Sequence, residues 1–215
     1  ALLILCAVLI SMVATGLLGV VVELIAYRPL RNAPRLAPLI SAIGVSIFLQ
    51  NIMMLIVSPE SRPVPDVLPS SNIALGSNAT LSSLQIVIIV TSILLMAVLN
   101  IFISRTKLGK AMRATSQDTD TARIMGINVN LVISLTFFIG AALGGAAGVL
   151  NGMYYGSVKY NMGFIPGIKA FTAAVLGGIG SLPGAVLGGL LIGLIETFWS
   201  AYFSIDYKDV ATFSI

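Results

Sequence analysis

Apolar residues in this chain form long unbroken runs, which shorter polar stretches separate. A membrane-spanning helix needs about 20 such residues, because the hydrocarbon core is about 30 Å thick and a helix rises about 1.5 Å per residue. The pattern therefore predicts membrane-spanning helices through the first two thirds of the chain. The predicted spans are residues 1–26, 36–57, 84–103 and 131–153.

The last third of the chain has a less regular pattern. A helix-like apolar run at residues 164–180 is short for a full crossing, and a break at residues 181–183 separates it from another span at residues 184–202. Two interpretations stay open: a broken helix whose freed backbone groups are covered by protein or water, or a tight turn between ordinary helices. A further span is expected to begin near Val210.

The composition supports a membrane protein. Hydrophobic residues make up 57% of the chain and charged residues only 9%, and the mean hydropathy is +1.02. Because a soluble domain carries about 25% charged residues, this composition cannot build a water-facing surface. The expected fold class is all-α: a polytopic transmembrane helix bundle with a broken or short helix pair near residues 164–202.

Residue counts exclude several kinds of chemistry. The chain has no histidine and one cysteine, Cys6. A disulfide within the chain, zinc and haem sites built from histidine or cysteine clusters, and histidine-based catalytic triads are therefore excluded. We expect no catalytic residue, no metal site and no cofactor. The net charge of +4 does not indicate a nucleic-acid partner.

Basic residues orient the predicted spans. Loops 27–36 and 104–130 hold three and five of the twelve basic residues. Because cytoplasmic loops are enriched in lysine and arginine, both loops are predicted to lie in the cytoplasm, with residues 58–84 and 154–163 outside. The remaining basic residues are Arg62, Lys159, Lys169 and Lys208.

Glycine recurs at every fourth position in two regions, and the sequence AVLGG occurs at residues 174–178 and again at 185–189. Lipid provides no hydrophobic drive for helices to associate, so close backbone approach through small residues supplies the packing. Smooth glycine lines would also let helices slide past one another, and both interpretations stay open. The predicted helix-packing glycines are Gly140, Gly144, Gly148, Gly152, Gly184 and Gly188.

Few charged residues fall inside the predicted spans. Glu23 lies one turn from Arg28 and is expected at the interface, and Glu196 lies beside aromatic residues typical of a membrane boundary. For Glu196 an interfacial or helix-pairing role is expected, and a deeper site stays open. Ion-coupled transporters usually need charges within the membrane. The energy for uphill transport is therefore expected to come from outside this chain.

The polar segment RTKLGKAMRATSQDTDTARIMGIN, at residues 105–128, interrupts the apolar pattern. Asp118 or Thr119 can cap a short helix, because a short polar side chain accepts the free amide hydrogens of the first turn. Gly126 suits a left-handed stop. The pattern predicts a short amphipathic helix in a cytoplasmic loop. Three roles stay open: a helix on the lipid surface, a solvated connector, or a docking helix for a cytoplasmic partner, which the small residues favour.

Three stretches, covering nearly half of the chain, resemble the permease subunits of bacterial ABC importers for branched-chain amino acids, the Liv-type permeases. The stretches are AYRPLRNAPRLAPLISAIGVSIFLQN at 26–51, GKAMRATSQDTDTARIMGINVNLVISLTFFIGAALGGAAGVLNGMYYG at 109–156, and KAFTAAVLGGIGSLPGAVLGGLLIGLIE at 169–196. The resemblance implies a helix bundle of the ABC-importer permease kind, multi-pass in the bacterial inner membrane. Such a subunit transports its substrate and leaves ATP hydrolysis to partner subunits.

The resemblance also implies the partners and the coupling site. The partners are a second permease subunit, expected to be a different chain, two cytoplasmic ATPase subunits and a periplasmic substrate-binding protein. Residues 104–130 are then the cytoplasmic coupling loop, although the loop lacks the Glu-Ala-Ala of the commoner importer signature. The family's loop features fall on Gly109, Arg113, Ala114, Asp118, Ala122, Gly126 and Ile127.

Residues 1–215 are expected to form a single transmembrane permease domain, and to be a fragment whose N-terminal spans and C-terminal end are missing. Ala1 is not a start methionine, and the chain stops just as apolar character returns. Two alternative functions stay open. One is a permease of a urea or short-amide ABC importer; the more distant one is a secondary transporter or channel that works without an ATPase.

Overall fold

The computed structural model describes residues 2–31, 33–34, 37–65, 72–74, 80–178, 180–203, 205 and 207–214. Arg35 of the basic loop 27–36, and residue 36, where the second predicted span begins, lie outside these residues. The helices in chain order are α1 (Leu2–Val22), α2 (Ala37–Val57), α3 (Ser83–Arg105), α4 (Lys107–Gln117), α5 (Thr119–Ile124), α6 (Val129–Tyr155), α7 (Phe164–Leu176), α8 (Leu182–Tyr202) and α9 (Lys208–Phe213).

Five helical segments among the described residues are long and apolar enough to cross a membrane. They match the predicted spans, and the all-α polytopic fold class is confirmed. The segments are Leu3–Leu30, Ile40–Val57, Ser83–Arg105, Val129–Tyr155 and Leu182–Tyr202.

Short strands occur only near the polar loops of the described chain. Strand β1 (Arg62–Pro63) pairs antiparallel with β4 (Ser157–Val158), and β2 (Asn72–Ala74) pairs antiparallel with β3 (Thr80–Ser82). The β1–β4 pair joins the two loops predicted to lie on the outer side, which is consistent with their assignment to one side of the membrane.

The first membrane helix changes its winding before it ends. After α1, residues Glu23–Tyr27 form a π-helical turn and Arg28–Leu30 a tight 3-10 turn. Pro29 explains the change, because proline has no amide hydrogen for the helix ladder and its ring collides with the carbonyl one turn back. A π-turn rotates the side chains that follow it out of α-helical register.

The chain divides into two compact units, Ala1–Tyr160 and Asn161–Ile215. In the first unit, α1 packs along α6 through small residues. A methyl group added at Gly19 would meet the Ala141 side chain at 2.5 Å and the Phe137 carbonyl at 2.9 Å. Gly145 lies equally close to Ser11, whose hydroxyl donates to the Gly145 carbonyl at 3.1 Å. These glycines therefore permit backbone contact between the two helices.

In the second unit, α7 and α8 form a helical hairpin. Ser181 caps α8 by accepting the amide hydrogen of Gly184 at 3.1 Å. The backbones of Gly177 and Gly184 touch, and Gly188 lies against the Ala173 carbonyl. The α7 helix has 13 residues, about 20 Å at 1.5 Å per residue, which is short of the hydrocarbon thickness. The expected short helix pair is confirmed, but the break lies earlier than residues 181–183, because α7 ends at Leu176 and Leu182 already begins α8.

A matched pair of neighbouring glycines tests the α1–α6 packing. A methyl group at Gly145 would collide with Thr15 and Ser11, whereas one at Gly144 has nothing within 4 Å. We expect Gly145→Ala to lower the free energy of unfolding by about 1–3 kcal/mol. Gly144→Ala should leave it unchanged or raise it by up to about 1 kcal/mol, because alanine favours a helix more than glycine does. Thermal unfolding of the purified chain in detergent measures both, and equal effects would contradict this packing.

Candidate functional site

The predicted cytoplasmic loop consists of two short helices, α4 and α5, between the long helices α3 and α6. Thr106 has an extended backbone and separates α3 from α4. Its hydroxyl accepts the amide hydrogen of Gly109 at 3.0 Å and donates to the Phe102 carbonyl at 2.6 Å. One threonine therefore caps the new helix and closes the previous one, which sets a sharp bend at the end of α3.

Asp118 starts the second loop helix. Its Oδ1 accepts amide hydrogens from Asp120 at 2.9 Å and Thr121 at 3.2 Å, and its Oδ2 accepts the Thr121 hydroxyl at 2.5 Å. The Thr121 hydroxyl, together with the two amides, holds the pKa of the Asp118 carboxyl below its ordinary value. Asp118 is therefore ionised at neutral pH and favours the positive helix end. The predicted cap is confirmed.

Gly126 ends α5 in the left-handed conformation, with φ of +80°. The Gly126 amide donates to the Arg123 carbonyl at 3.0 Å and the Ile127 amide to the Ala122 carbonyl at 3.0 Å. These two bonds define a Schellman stop, which a residue with a side chain would form under strain. Asn128 then caps α6 by accepting the Leu131 amide hydrogen at 3.2 Å. The predicted stop at Gly126 is confirmed.

Most of the predicted loop residues hold the loop together rather than point away from it. Gly109 lies against the Ile103 backbone, and Arg113 donates to the Ile103 carbonyl at 2.9 Å. The side chain of Ala122 is buried, with 2% exposure, and the Ala114 carbonyl accepts the Asp118 amide hydrogen at 3.1 Å.

Ile124, the last residue of α5, and Met125, which follows it, form an exposed apolar tip. Their exposed fractions are 85% and 77%, the highest on this loop among its large apolar side chains. The sequence pattern placed both residues in the loop helix but did not select them. Helical spacing could have identified Ile124 as an outward-facing residue. Ala122 and Ile124 lie two residues apart on a helix, so burial of one side chain turns the other outward.

A buried polar network lies next to this loop in the first unit. The carboxylate of Glu23 is fully buried and is paired with Arg31. Glu23 also accepts the Ser134 hydroxyl at 2.7 Å, and Arg31 donates to Asn130. The network therefore joins the end of α1 to the first turns of α6. Glu23 lies at the expected end of its span, but it is buried and pairs with Arg31 rather than with the nearer Arg28.

A second charged cluster ties together the helices of the second unit. Lys169 on α7 is 2.8 Å from Glu196 on α8 and 2.7 Å from Asp209 on α9. Lys208 approaches the other oxygen of Glu196 at 3.2 Å. Glu196 therefore has the helix-pairing role that was one of its expected roles. Each positive charge is matched by a negative one, which lowers the cost of holding these groups in a helical membrane protein.

The six predicted packing glycines fall into two groups. Gly184 and Gly188 lie in the α7–α8 contact, and a methyl group at Gly152 would meet Val158 at 2.8 Å. Gly140, Gly144 and Gly148 have nothing from the described chain within 4 Å. These three glycines share one face of α6, because they are spaced by one helical turn.

The sequence model of the family described as "Branched-chain amino acid transport system / permease component" matches residues 1–215. No solved structure matches the chain. The match to this permease family agrees with the polytopic all-α fold.

Individual relatives are similar over almost the whole chain. The high-affinity branched-chain amino acid transport system permease protein BraD of Pseudomonas aeruginosa is 50% identical over 209 residues, covering 95% of this chain and 68% of BraD. The LivH permease proteins of Salmonella typhimurium and Escherichia coli are each 45% identical over 216 residues, covering 95% of this chain and 70% of LivH. The chain belongs to the family of permease components of branched-chain amino acid transport systems.

Proposed function

We propose that this chain is one of two membrane-spanning subunits of an ATP-driven importer for leucine, isoleucine and valine, in the bacterial inner membrane. The observation that carries the proposal is the 50% identity to BraD across 95% of the chain. Identity at this level over nearly all of the transmembrane helices favours retention of the transport role.

The pairing of charges supports an external energy source. Within the described membrane spans, the two carboxylates are Glu23 and Glu196, and both are in ion pairs. A proton- or ion-coupled transporter usually needs an intramembrane charge that can change its state during transport. Both carboxylates instead hold helices together, so the chain fits a gate moved by other subunits.

The proposed coupling site is the loop of residues 104–130. Its two capped helices are fixed to the ends of α3 and α6. Because the loop is held rigid in this way, a force on α5 is transmitted to the membrane helices. The exposed tip at Ile124 and Met125 is the surface that we assign to contact with an ATPase subunit. Apolar helix residues inserted into a groove are a common mode of helix docking.

The remaining proposed partners follow from the same assignment. A second permease subunit, a different chain, would pair with this one, and the open α6 face of Gly140, Gly144 and Gly148 suits helix contact through small residues. A pair of cytoplasmic ATPase subunits and a periplasmic substrate-binding protein complete the transporter. Residues 1–215 would contribute one permease domain to it.

Uptake by the complete transporter tests the substrate. Proteoliposomes containing both permease subunits and both ATPase subunits, supplied with the binding protein and ATP, are expected to accumulate radiolabelled leucine, isoleucine and valine. The same vesicles should accumulate urea or acetamide no faster than vesicles without protein. Uptake of the amides with no uptake of leucine would overturn the proposed function.

A further inference from the structure

A groove of about 570 Å³ lies between α3 and α6 in the first unit. This volume is within the range of about 300–1,000 Å³ that small-ligand sites occupy. The groove lies where α3 begins and α6 ends, because Gln85 is in the first turn of α3 and Tyr154 in the last turn of α6. The distribution of basic residues predicts that these helix ends face the outside, so the groove opens towards the side from which a substrate arrives.

Polar side chains in this groove lack partners within the described chain. Ser92, Asn151 and the Tyr154 hydroxyl make no hydrogen bond there. Gln85 uses its carbonyl oxygen to accept the Ser82 amide hydrogen at 3.1 Å, and its two N–H donors have no partner among the described residues. An unpaired polar group in a membrane helix is costly, so these groups are expected to meet a polar ligand or water.

Other hydroxyl groups in the membrane spans do have hydrogen-bond partners, so a span does not by itself leave a hydroxyl group unpaired. Thr136 donates to the Val132 carbonyl at 2.8 Å, and Thr197 donates to the Gly193 carbonyl at 2.7 Å. Both satisfy themselves on their own helix, as hydroxyls in membrane helices commonly do. Ser92 makes no such bond. Its hydroxyl therefore remains available to the groove.

The rest of the groove lining is apolar and uncharged. Ile88, Ile89 and Leu150 supply aliphatic surface beside the polar groups, and no lysine, arginine, aspartate or glutamate is among the described lining residues. A lipid tail would leave the amide and hydroxyl groups unpaired, and a charged solute would find no counter-charge. A zwitterion with a branched aliphatic side chain fits this lining, because it has no net charge, its ammonium and carboxylate groups can hydrogen-bond to the uncharged polar side chains, and its side chain needs apolar contact.

We propose that this groove is an outer binding station for the transported amino acid, occupied after the substrate leaves its delivery protein and before it crosses. Gln85, Ser92, Asn151 and Tyr154 would hydrogen-bond the ammonium and carboxylate groups, while Ile88 and Ile89 would contact the branched side chain. The inference rests on the proposed function and names the site within it. Uncharged hydrogen bonds make the binding weak, which suits a station that must release its ligand.

Photolabelling during transport tests the station directly. The probe is a diazirine analogue of leucine, supplied with the binding protein and ATP to the complete transporter in proteoliposomes. After illumination, mass spectrometry locates the label. We expect label in peptides that contain residues 85–92 or 147–155, and excess unlabelled leucine should remove it.

A matched pair of substitutions supplies the control. Asn151→Leu removes a groove amide, whereas Asn51→Leu makes the same change on α2, where the amide nitrogen donates to the Ile47 carbonyl of its own helix at 2.8 Å. We expect Asn151→Leu to reduce groove labelling and leucine uptake by roughly tenfold, the upper effect of losing one uncharged hydrogen bond. Asn51→Leu should change neither. Subunit assembly, measured by co-purification, should stay normal in both variants, so that a loss of uptake reports on the groove.

Each outcome has one meaning for this proposal. Normal leucine uptake with no leucine-protected label in the groove would overturn the binding station alone. This is the result expected if the second permease subunit or lipid fills the groove. Equal effects of Asn151→Leu and Asn51→Leu would also overturn it. Failure of the wild-type transporter to take up leucine would overturn the proposed function, and the station with it.

Discussion

Replacing both Ile124 and Met125 with aspartate is expected to abolish ATP-driven uptake while the chain still inserts in the membrane. The two side chains form the exposed apolar tip at the end of α5, with exposed fractions of 85% and 77%. Burying a large apolar side chain contributes about 1.5–3 kcal/mol. Losing two such contacts corresponds to at least about a hundredfold weaker docking, and buried unpaired carboxylates would weaken it further.

The measurement is co-purification of ATPase subunits with the chain, together with leucine uptake by the same preparation. Ser116→Asp is the matched control, because it adds a negative charge at an exposed position of the same loop outside the apolar tip. We expect this control to retain both properties. If the double variant retained wild-type uptake, the tip would not be the docking surface.

The second large effect is expected from Glu23→Gln. The Glu23 carboxylate is fully buried and is paired with Arg31, whose side chain is 21% exposed. Removing one member of a fully buried ion pair costs about 3–5 kcal/mol, and because Arg31 is partly exposed the expected loss is at the lower end, about 3 kcal/mol. The free energy of unfolding of the purified chain should fall by about that amount. Glu60→Gln, at an exposed loop position, should leave it unchanged.

A double substitution separates the ion pair from the other effects. When Arg31→Gln is combined with Glu23→Gln, no uncompensated charge remains, so the double variant should be more stable than Glu23→Gln alone. A double variant whose loss equals the sum of the two single losses would show that the two residues do not interact.

Local features of the fold were predictable from sequence because they depend on neighbouring residues. The apolar runs predicted the long helices, Asp118 predicted the start of α5, and Gly126 predicted its left-handed end. Each of these depends on hydrogen bonds within about five residues, or on the length of one helix.

Contacts between distant segments were not predictable in the same way. The pairing of Glu23 with Arg31 and Ser134 depends on the π-helical turn before Pro29 and on the packing of α1 against α6. A four-residue glycine period selected Gly144, whereas the neighbouring Gly145 lies against α1. Periodicity finds a smooth face of a helix, but only the tertiary arrangement shows which face meets another helix.

The most direct test of the central claim compares proteoliposomes that contain the two permease subunits with vesicles that also contain the ATPase subunits. Both preparations receive ATP on the side of the 104–130 loop, and binding protein with radiolabelled leucine on the opposite side. We predict that leucine accumulates against its gradient only when the ATPase subunits are present and the loop of residues 104–130 is intact. Accumulation by the permease subunits alone would contradict a gate that is driven through this loop.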